Sequence, residues 1–279
     1  MKVYIMTDME GVAGIQDSEN WCRPPGSPGS GRYYEMGKAL LTREVNAAVE
    51  GLFEAGATEI LVADGHGAGG LQPLLLDERV HLLRGWPRGW PLELDASFGA
   101  VVWIGQHAKA CTPFAHLAHT QSFRYIDQSI NGLSVGEFGQ FALCAGELGI
   151  PAIFGCGDEA FCQEAKALVP AIETVAVKRG ITPGGGEGLD TAAYGRRNLS
   201  AVHLHPVAAR RAILQGARRA LARLHAEGAE RFILRLAPPY QRVTRFRPDE
   251  PDQPQTVDTA THPDSVAGVL NQPFHPQPA

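Results

Sequence analysis

Two carboxylates stand two residues apart, at Asp8 and Glu10, directly after the apolar run of residues 3–7. In an extended chain both side chains share one face while Met9 points away, and carboxylates on one face repel unless a cation or protons intervene. A solvated loop or a helix cap is the other reading of that pair. His66 lies in Asp64-Gly65-His66-Gly67 after a second apolar run, and His107 follows a third, residues 100–104, through Gly105 and Gln106. Asp64 is a candidate to accept the second N–H of His66 and fix its tautomer. Glu137, between the glycines of Val135-Gly136-Glu137-Phe138-Gly139, is explained equally well as a charge complementing a helix dipole. Together Asp8, Glu10, His66, His107 and Glu137 offer carboxylate and imidazole donors, a mixture that suits zinc or manganese and is too rich in nitrogen for calcium. Five ligands exceed what one catalytic zinc uses, so the expectation is a pair of metals with Asp8 as the natural bridge.

The elements that must position these residues are legible in the apolar pattern. Residues 3–7, 59–63, 100–104, 151–154 and 174–177 read as buried strands, and 232–236 as a further one. From Glu35 the spacing of Leu40, Leu41, Val45, Ala48, Val49, Leu52 and Phe53 predicts a helix stopped by Gly56. Helices are also expected from Glu137 to about Leu148, after Asp158, and over residues 206–224. Strand–helix–strand units of this length make parallel crossovers. The expected fold is therefore α/β, a three-layer α/β/α arrangement with a largely parallel or mixed sheet, plus a smaller C-terminal α+β portion. The expected division is residues 1–180 as the metal-binding catalytic domain and 181–279 as the smaller region, ending in a mobile tail. Residues 14–31, rich in glycine and proline around Pro24, read as loop. In open α/β sheets ligands bind at the C-terminal strand ends, where three strands here deliver Asp8 with Glu10, His66 and His107.

Composition narrows the function. The chain has 279 residues, 44% hydrophobic and 20% charged, with a net charge of −5. That charge argues against nucleic acid or an anionic membrane surface as the main partner. The sequence contains no stretch long enough to span a membrane, and its N-terminal run lacks signal-peptide character, so a cytoplasmic location is expected. The cysteines, Cys22, Cys111, Cys144, Cys156 and Cys162, include no C-x-x-C pair and read as reduced. Cys111 draws notice because it lies between His107 and His119. His81, His203, His205, His225, His262 and His275 read as solvent-facing. No phosphate-binding loop is present.

In order and spacing, several motifs together resemble the DppA-type D-aminopeptidases, a family of binuclear zinc peptidases. They are Thr7-Asp8-Met9-Glu10-Gly11, Leu41-Thr42-Arg43-Glu44-Val45-Asn46, Val62-Ala63-Asp64-Gly65-His66-Gly67, Gly105-Gln106-His107-Ala108, Ala118-His119-Thr120, Asn131-Gly132-Leu133-Ser134-Val135-Gly136-Glu137 and Gly157-Asp158-Glu159. The resemblance runs to about Lys178 and weakens beyond it. It implies that Asp8 bridges two zinc ions, that Glu10 and His107 complete one site and His66 and Glu137 the other, and that His119 is the catalytic side chain. It also implies removal of the N-terminal residue from short peptides or amides carrying D-amino acids, and assembly into a decamer of two stacked pentameric rings. Gln106 departs from the tyrosine common in the family, and Cys111 from glycine or serine.

The expected mechanism is attack by a hydroxide bridging two metals, with His119 serving either as proton shuttle or as oxyanion stabiliser. One rival is a two-metal phosphoester hydrolase, for which Lys109 and Arg124 supply candidate cations. Another is a non-enzymatic small-peptide binding protein.

Overall fold

The computed structural model describes residues 1–26, 30–85 and 89–279. β1 (Lys2–Thr7) opens the chain, and a short helix, α1 (Ser18–Trp21), capped by Asp17, interrupts the expected loop of residues 14–31. Residues 27–29 of that loop lie outside the described residues. α2 (Tyr34–Glu54) buries Leu41, Val45, Ala48, Val49 and Leu52, the spacing of a single helix face. β2 (Glu59–Ala63), β3 (His81–Leu83) and β4 (Ala100–Gln106) follow. Next comes an antiparallel hairpin, β5 (Tyr125–Ile130) and β6 (Leu133–Ser134). Its turn is Asn131-Gly132 with both residues at positive φ, 50° and 79°, the conformation that matches the twist of a tight hairpin. α3 (Glu137–Glu147), β7 (Ala152–Asp158), α4 (Glu159–Leu168) and β8 (Glu173–Gly180) continue the alternation. The remainder is α5 (Thr191–Gly195), β9 (Ala201–His203), α6 (Pro206–Glu227), β10 (Tyr240–Phe246), β11 (Thr256–His262), α7 (Val266–Leu270) and β12 (Gln277–Pro278).

The larger sheet has the order β3-β2-β1-β4-β7-β8-β9. It is parallel except for β9, which runs against β8. Alternate residues of β1 serve opposite faces: Val3 and Ile5 join the core under α2 and α6, while Tyr4 and Met6 join the one under α3 and α4. Burial on both faces is why its parallel strands read as unbroken apolar runs. From β1 the chain builds outward to β2 and β3 on one side and then, starting again at β4, to β7 and β8 on the other. The crevice between β1 and β4 is therefore the switch point of the sheet, where ligands of such folds bind.

The second sheet is antiparallel, β12-β11-β10-β5-β6. Membership of the two sheets crosses the expected boundary at residue 180 in both directions. β9 and α6 belong to the larger sheet and its helical layer, α6 lying along α2, whereas β5 and β6 supply an edge of the smaller sheet. The expected strand over residues 232–236 is instead a single 3-10 turn, Glu230–Phe232, followed by unpaired chain. The tail expected to be mobile lays Gln277 and Pro278 beside Val257 and Thr256 of β11.

Candidate metal centre

The ends of β1 and β4 are drawn together by glycines with no room for a side chain. Gly105 has φ +79°, and a Cβ there would stand 2.1 Å from the Asp8 carbonyl oxygen. Gly11 donates its N–H to the Gly105 carbonyl at 2.7 Å, and a Cβ on it would meet the Gln106 carbonyl at 2.1 Å. This close approach, which only glycine permits, brings Asp8 and Glu10 alongside His107.

Asp8, Glu10 and His107 are buried. The two oxygens of Asp8 face two different rings: Oδ1 lies 2.9 Å from His66 Nδ1 and Oδ2 lies 3.1 Å from His107 Nε2. Glu10 Oε2 is 3.1 Å from His66 Nδ1, and Glu137 Oε1 is 3.6 Å from His107 Nε2 and 4.0 Å from His119 Nε2. The His107 and His119 rings stack at 3.9 Å. Two compact donor groups result, Asp8 with Glu10 and His66, and His107 with His119 and Glu137, each with its ligand atoms within 4.8 Å of one another. The resemblance pairs Glu10 with His107 and His66 with Glu137; the nearest neighbours here are Glu10 with His66 and Glu137 with His107.

Each imidazole gives one nitrogen to a backbone carbonyl and turns the other to the carboxylates. His66 Nε2 meets the Cys22 carbonyl at 2.6 Å, His107 Nδ1 the Ala108 carbonyl at 2.8 Å, and His119 Nδ1 the Leu117 carbonyl at 2.8 Å. A carbonyl can only accept, so these nitrogens carry protons, and His66 Nδ1, His107 Nε2 and His119 Nε2 are the positions turned to the carboxylates. Such carbonyl partners are how proteins orient ligating histidines. The expectation that Asp64 plays this part for His66 is corrected: Asp64 accepts from the Gly70 N–H at 2.6 Å and pairs with Arg84 at 3.0 Å, bracing the loop that carries His66.

The electrostatics are those of a nest awaiting positive charge. Burial alone would disfavour a charged His66, but Glu10 and Asp8 hold its pKa well above the imidazole range. His107 behaves likewise: against burial, Glu137 and Asp8 lift it to about 10. Asp8, which burial would raise, is held well below the carboxylate range by the two rings. Glu10 Oε2 and His107 Nε2 are buried without a hydrogen-bond partner, each having only ion-pair contacts. Mixed oxygen and nitrogen donors, orphaned atoms aimed inward and rings with one nitrogen free fit zinc or manganese.

His119 differs from its neighbours. Burial, and then the charge on His107, push its pKa down. His116 and His119 face different ways, because Leu117 between them sits at φ 54° and reverses the chain. His116 points away, its N–H on Asp158 at 2.8 Å and its Nε2 on the Gln16 carbonyl at 2.9 Å. Cys111 also stands apart, accepting from Arg247 at 2.8 Å. His203, expected in solvent, is half-buried and accepts from the Gly14 N–H at 3.1 Å. Two residues at the centre were given no role by the sequence. Gln106 donates to Asp8 Oδ2 at 3.3 Å, and Gln121 gives its N–H to Glu137 Oε1 at 2.7 Å.

A carboxylate–histidine nest at the switch point of a parallel sheet defines a metal-site α/β protein. The family model described as D-aminopeptidase matches residues 1–264, and the chain belongs to that family. The D-aminopeptidase of Bacillus subtilis (strain 168) is 33% identical over 203 residues, 70% of this chain and 70% of that protein. Among solved structures, the Zn-dependent D-aminopeptidase DppA from Bacillus subtilis, described as a self-compartmentalizing protease, superposes with a TM-score of 0.77. It is 25% identical, and the match covers 97% of this chain and 95% of that chain.

Proposed function

We propose that this chain is a zinc aminopeptidase in which Asp8, Glu10, His66, His107 and Glu137 hold two zinc ions and His119 moves the proton. The observation that carries the reading is the divided Asp8 carboxylate, with one oxygen toward each of the two free imidazole nitrogens. The Zn-dependent relative supports zinc as the metal, and manganese accepts the same donors. When bound, the cation pair supplies Lewis-acid activation of a water nucleophile and of the scissile carbonyl.

The protein's own groups do the rest. His119 keeps its proton on Nδ1, bonded to the Leu117 carbonyl, so Nε2 presents a lone pair to the centre. Its lowered pKa keeps that lone pair free near neutral pH. Nε2 therefore acts as a general base toward the attacking water and then returns the proton to the leaving amine. Stacking on His107 and contact with Phe123, at 4.9 Å, fix the ring. The Gln106 amide holds Asp8 in the orientation that shares its oxygens.

The substrate we assign is a short peptide or amide with a D-residue at its N-terminus, following the family and the named relative. The self-compartmentalizing relative supports a homo-oligomer, which we extend to a decamer of two stacked pentameric rings. Among the described residues no helix is long and apolar enough to cross a membrane, and we place the protein in the cytoplasm. The phosphoester rival loses its cations: Lys109 Nζ is bound to Ser134 and Arg124 pairs with Asp249 at 3.2 Å. The test is a panel of D-amino-acid amides, short peptides and phosphoesters, assayed with and without chelator. Amide cleavage abolished by chelator and restored by zinc is expected; phosphoester cleavage alone would overturn the reading.

A further inference from the structure

The centre stands where two cavities meet. Asp8, Gly65, Gln121 and Glu137 line both. One, of about 510 Å³, is polar and contains His119, Ser18, Arg23 and Ser122. The other, of about 360 Å³, does not contain His119 and is walled by Met6, Trp90, Leu92, Trp103, Phe141 and Leu270. Among the described residues, Asp8 and Glu137 are the charged side chains that line it.

That apolar wall is a built feature. Trp103 and Phe141 meet edge to face at 5.7 Å, and Trp90 lies 6.4 Å from Phe141. Asn271, just beyond α7, clamps the Trp90 backbone from both sides, accepting its N–H at 2.9 Å and donating to its carbonyl at 2.8 Å. Leu92 is held in the left-handed region at φ 59°, its carbonyl receiving the Tyr4 hydroxyl at 2.8 Å. A leucine adopts that conformation only where its surroundings impose it. The C-terminal region thus contributes Leu270 and the Asn271 clamp to a cavity that opens on the metal centre.

We propose that this cavity receives the side chain of the substrate's N-terminal residue, and that the enzyme prefers large apolar first residues, aromatic or branched aliphatic. This rests on the aminopeptidase reading given above. His119 returns its proton to the leaving amine, so the leaving segment lies on the His119 side, in the polar cavity. The residue being released then lies across the scissile bond, against the aromatic wall. A cavity of about 150 Å³ accepts a benzene ring, so a space of about 360 Å³ against this aromatic wall has room for a benzyl or indole group. An acidic first residue would meet the like charge of Asp8 and Glu137, with no cation among the described lining residues.

The experiment compares kcat/KM for amides of D-Ala, D-Leu, D-Phe and D-Glu that share one leaving group, using the zinc-loaded full chain. D-Phe and D-Leu should exceed D-Ala by roughly tenfold or more, the usual scale for apolar pocket contacts, with D-Glu lowest. Leu270→Trp, which fills the cavity, should lower the D-Phe to D-Ala ratio by roughly tenfold. Trp90→Ala, at a partly exposed position, should lower the same ratio by removing the wall, and serves if the first variant does not fold. D-Ala cleaved as well as D-Phe by the wild type, or a ratio unmoved in the folded variants, would overturn the assignment. Cleavage of none of the amides would overturn the aminopeptidase reading and this inference with it.

Discussion

Loading the metal-free protein with zinc should expel about two protons per chain at pH 7. The number follows from which nitrogens face which oxygens. His66 gives Nε2 to the Cys22 carbonyl while Nδ1 sits 2.9 Å from Asp8 and 3.1 Å from Glu10. His107 gives Nδ1 to the Ala108 carbonyl while Nε2 sits 3.1 Å from Asp8. Ionised carboxylates only accept, so without metal both rings carry two protons and are cationic. His107 is lifted to about 10 and His66 well above the usual range, so both are fully charged at neutral pH. A ring that binds a cation must give up the proton on its free nitrogen. Titrating zinc into metal-free protein in two buffers of different ionisation enthalpy, by calorimetry, counts the protons directly. A release of about two or more supports the assignment. Release near zero would mean that His66 and His107 are already neutral, or are not the ligands, and would refute the reasoning.

Two further outcomes concern His119. His119→Ala should lower turnover of a D-amino-acid amide by roughly 100-fold or more while zinc content is unchanged, since the residue serves proton transfer and not ligation; wild-type turnover in that variant would remove it from the mechanism. With zinc in excess, the acid limb of kcat/KM should fall below the ordinary imidazole pKa of about 6.5. His119 is inactive as a base only when protonated, and burial and His107 lower its pKa, so activity persists on mild acidification and is lost as pH falls through the lowered value. Bound cations act in the same direction. An acid limb centred at or above the ordinary value would contradict this.

Much of the centre was legible because parallel strands buried on both faces are continuous apolar runs, and the residues after them occupy one edge of the sheet. That reasoning named Asp8, Glu10, His66 and His107, whose side chains the structure brings together. Glu137 was not, since a helix start explains it equally well until β5 and β6 carry that helix back to the switch point. The hairpin was not expected, although Asn131-Gly132, whose left-handed pair closes it, is the signal that could have announced it. Residues 232–236 have the composition of a strand, yet the chain there packs against α3, where a Cβ on Gly146 would meet the Leu234 carbonyl at 1.8 Å. Hydrophobic content reports burial, and only a neighbouring strand makes it sheet. Packing across the expected boundary at residue 180 was hidden for a similar reason: α6 finds its apolar partner in α2, far away in sequence. The division between His116 and His119 turned on the single positive φ of Leu117, which composition does not announce.

Counting metal on the protein after reconstitution with zinc and removal of the excess is the sharpest check on a two-ion centre. Wild type should retain about two zinc ions per chain, the number its donor set can serve, and Asp8→Ala should lose both with the amidase activity because its carboxylate reaches both positions. One ion or none on active wild-type protein, or full metal on Asp8→Ala, would contradict it.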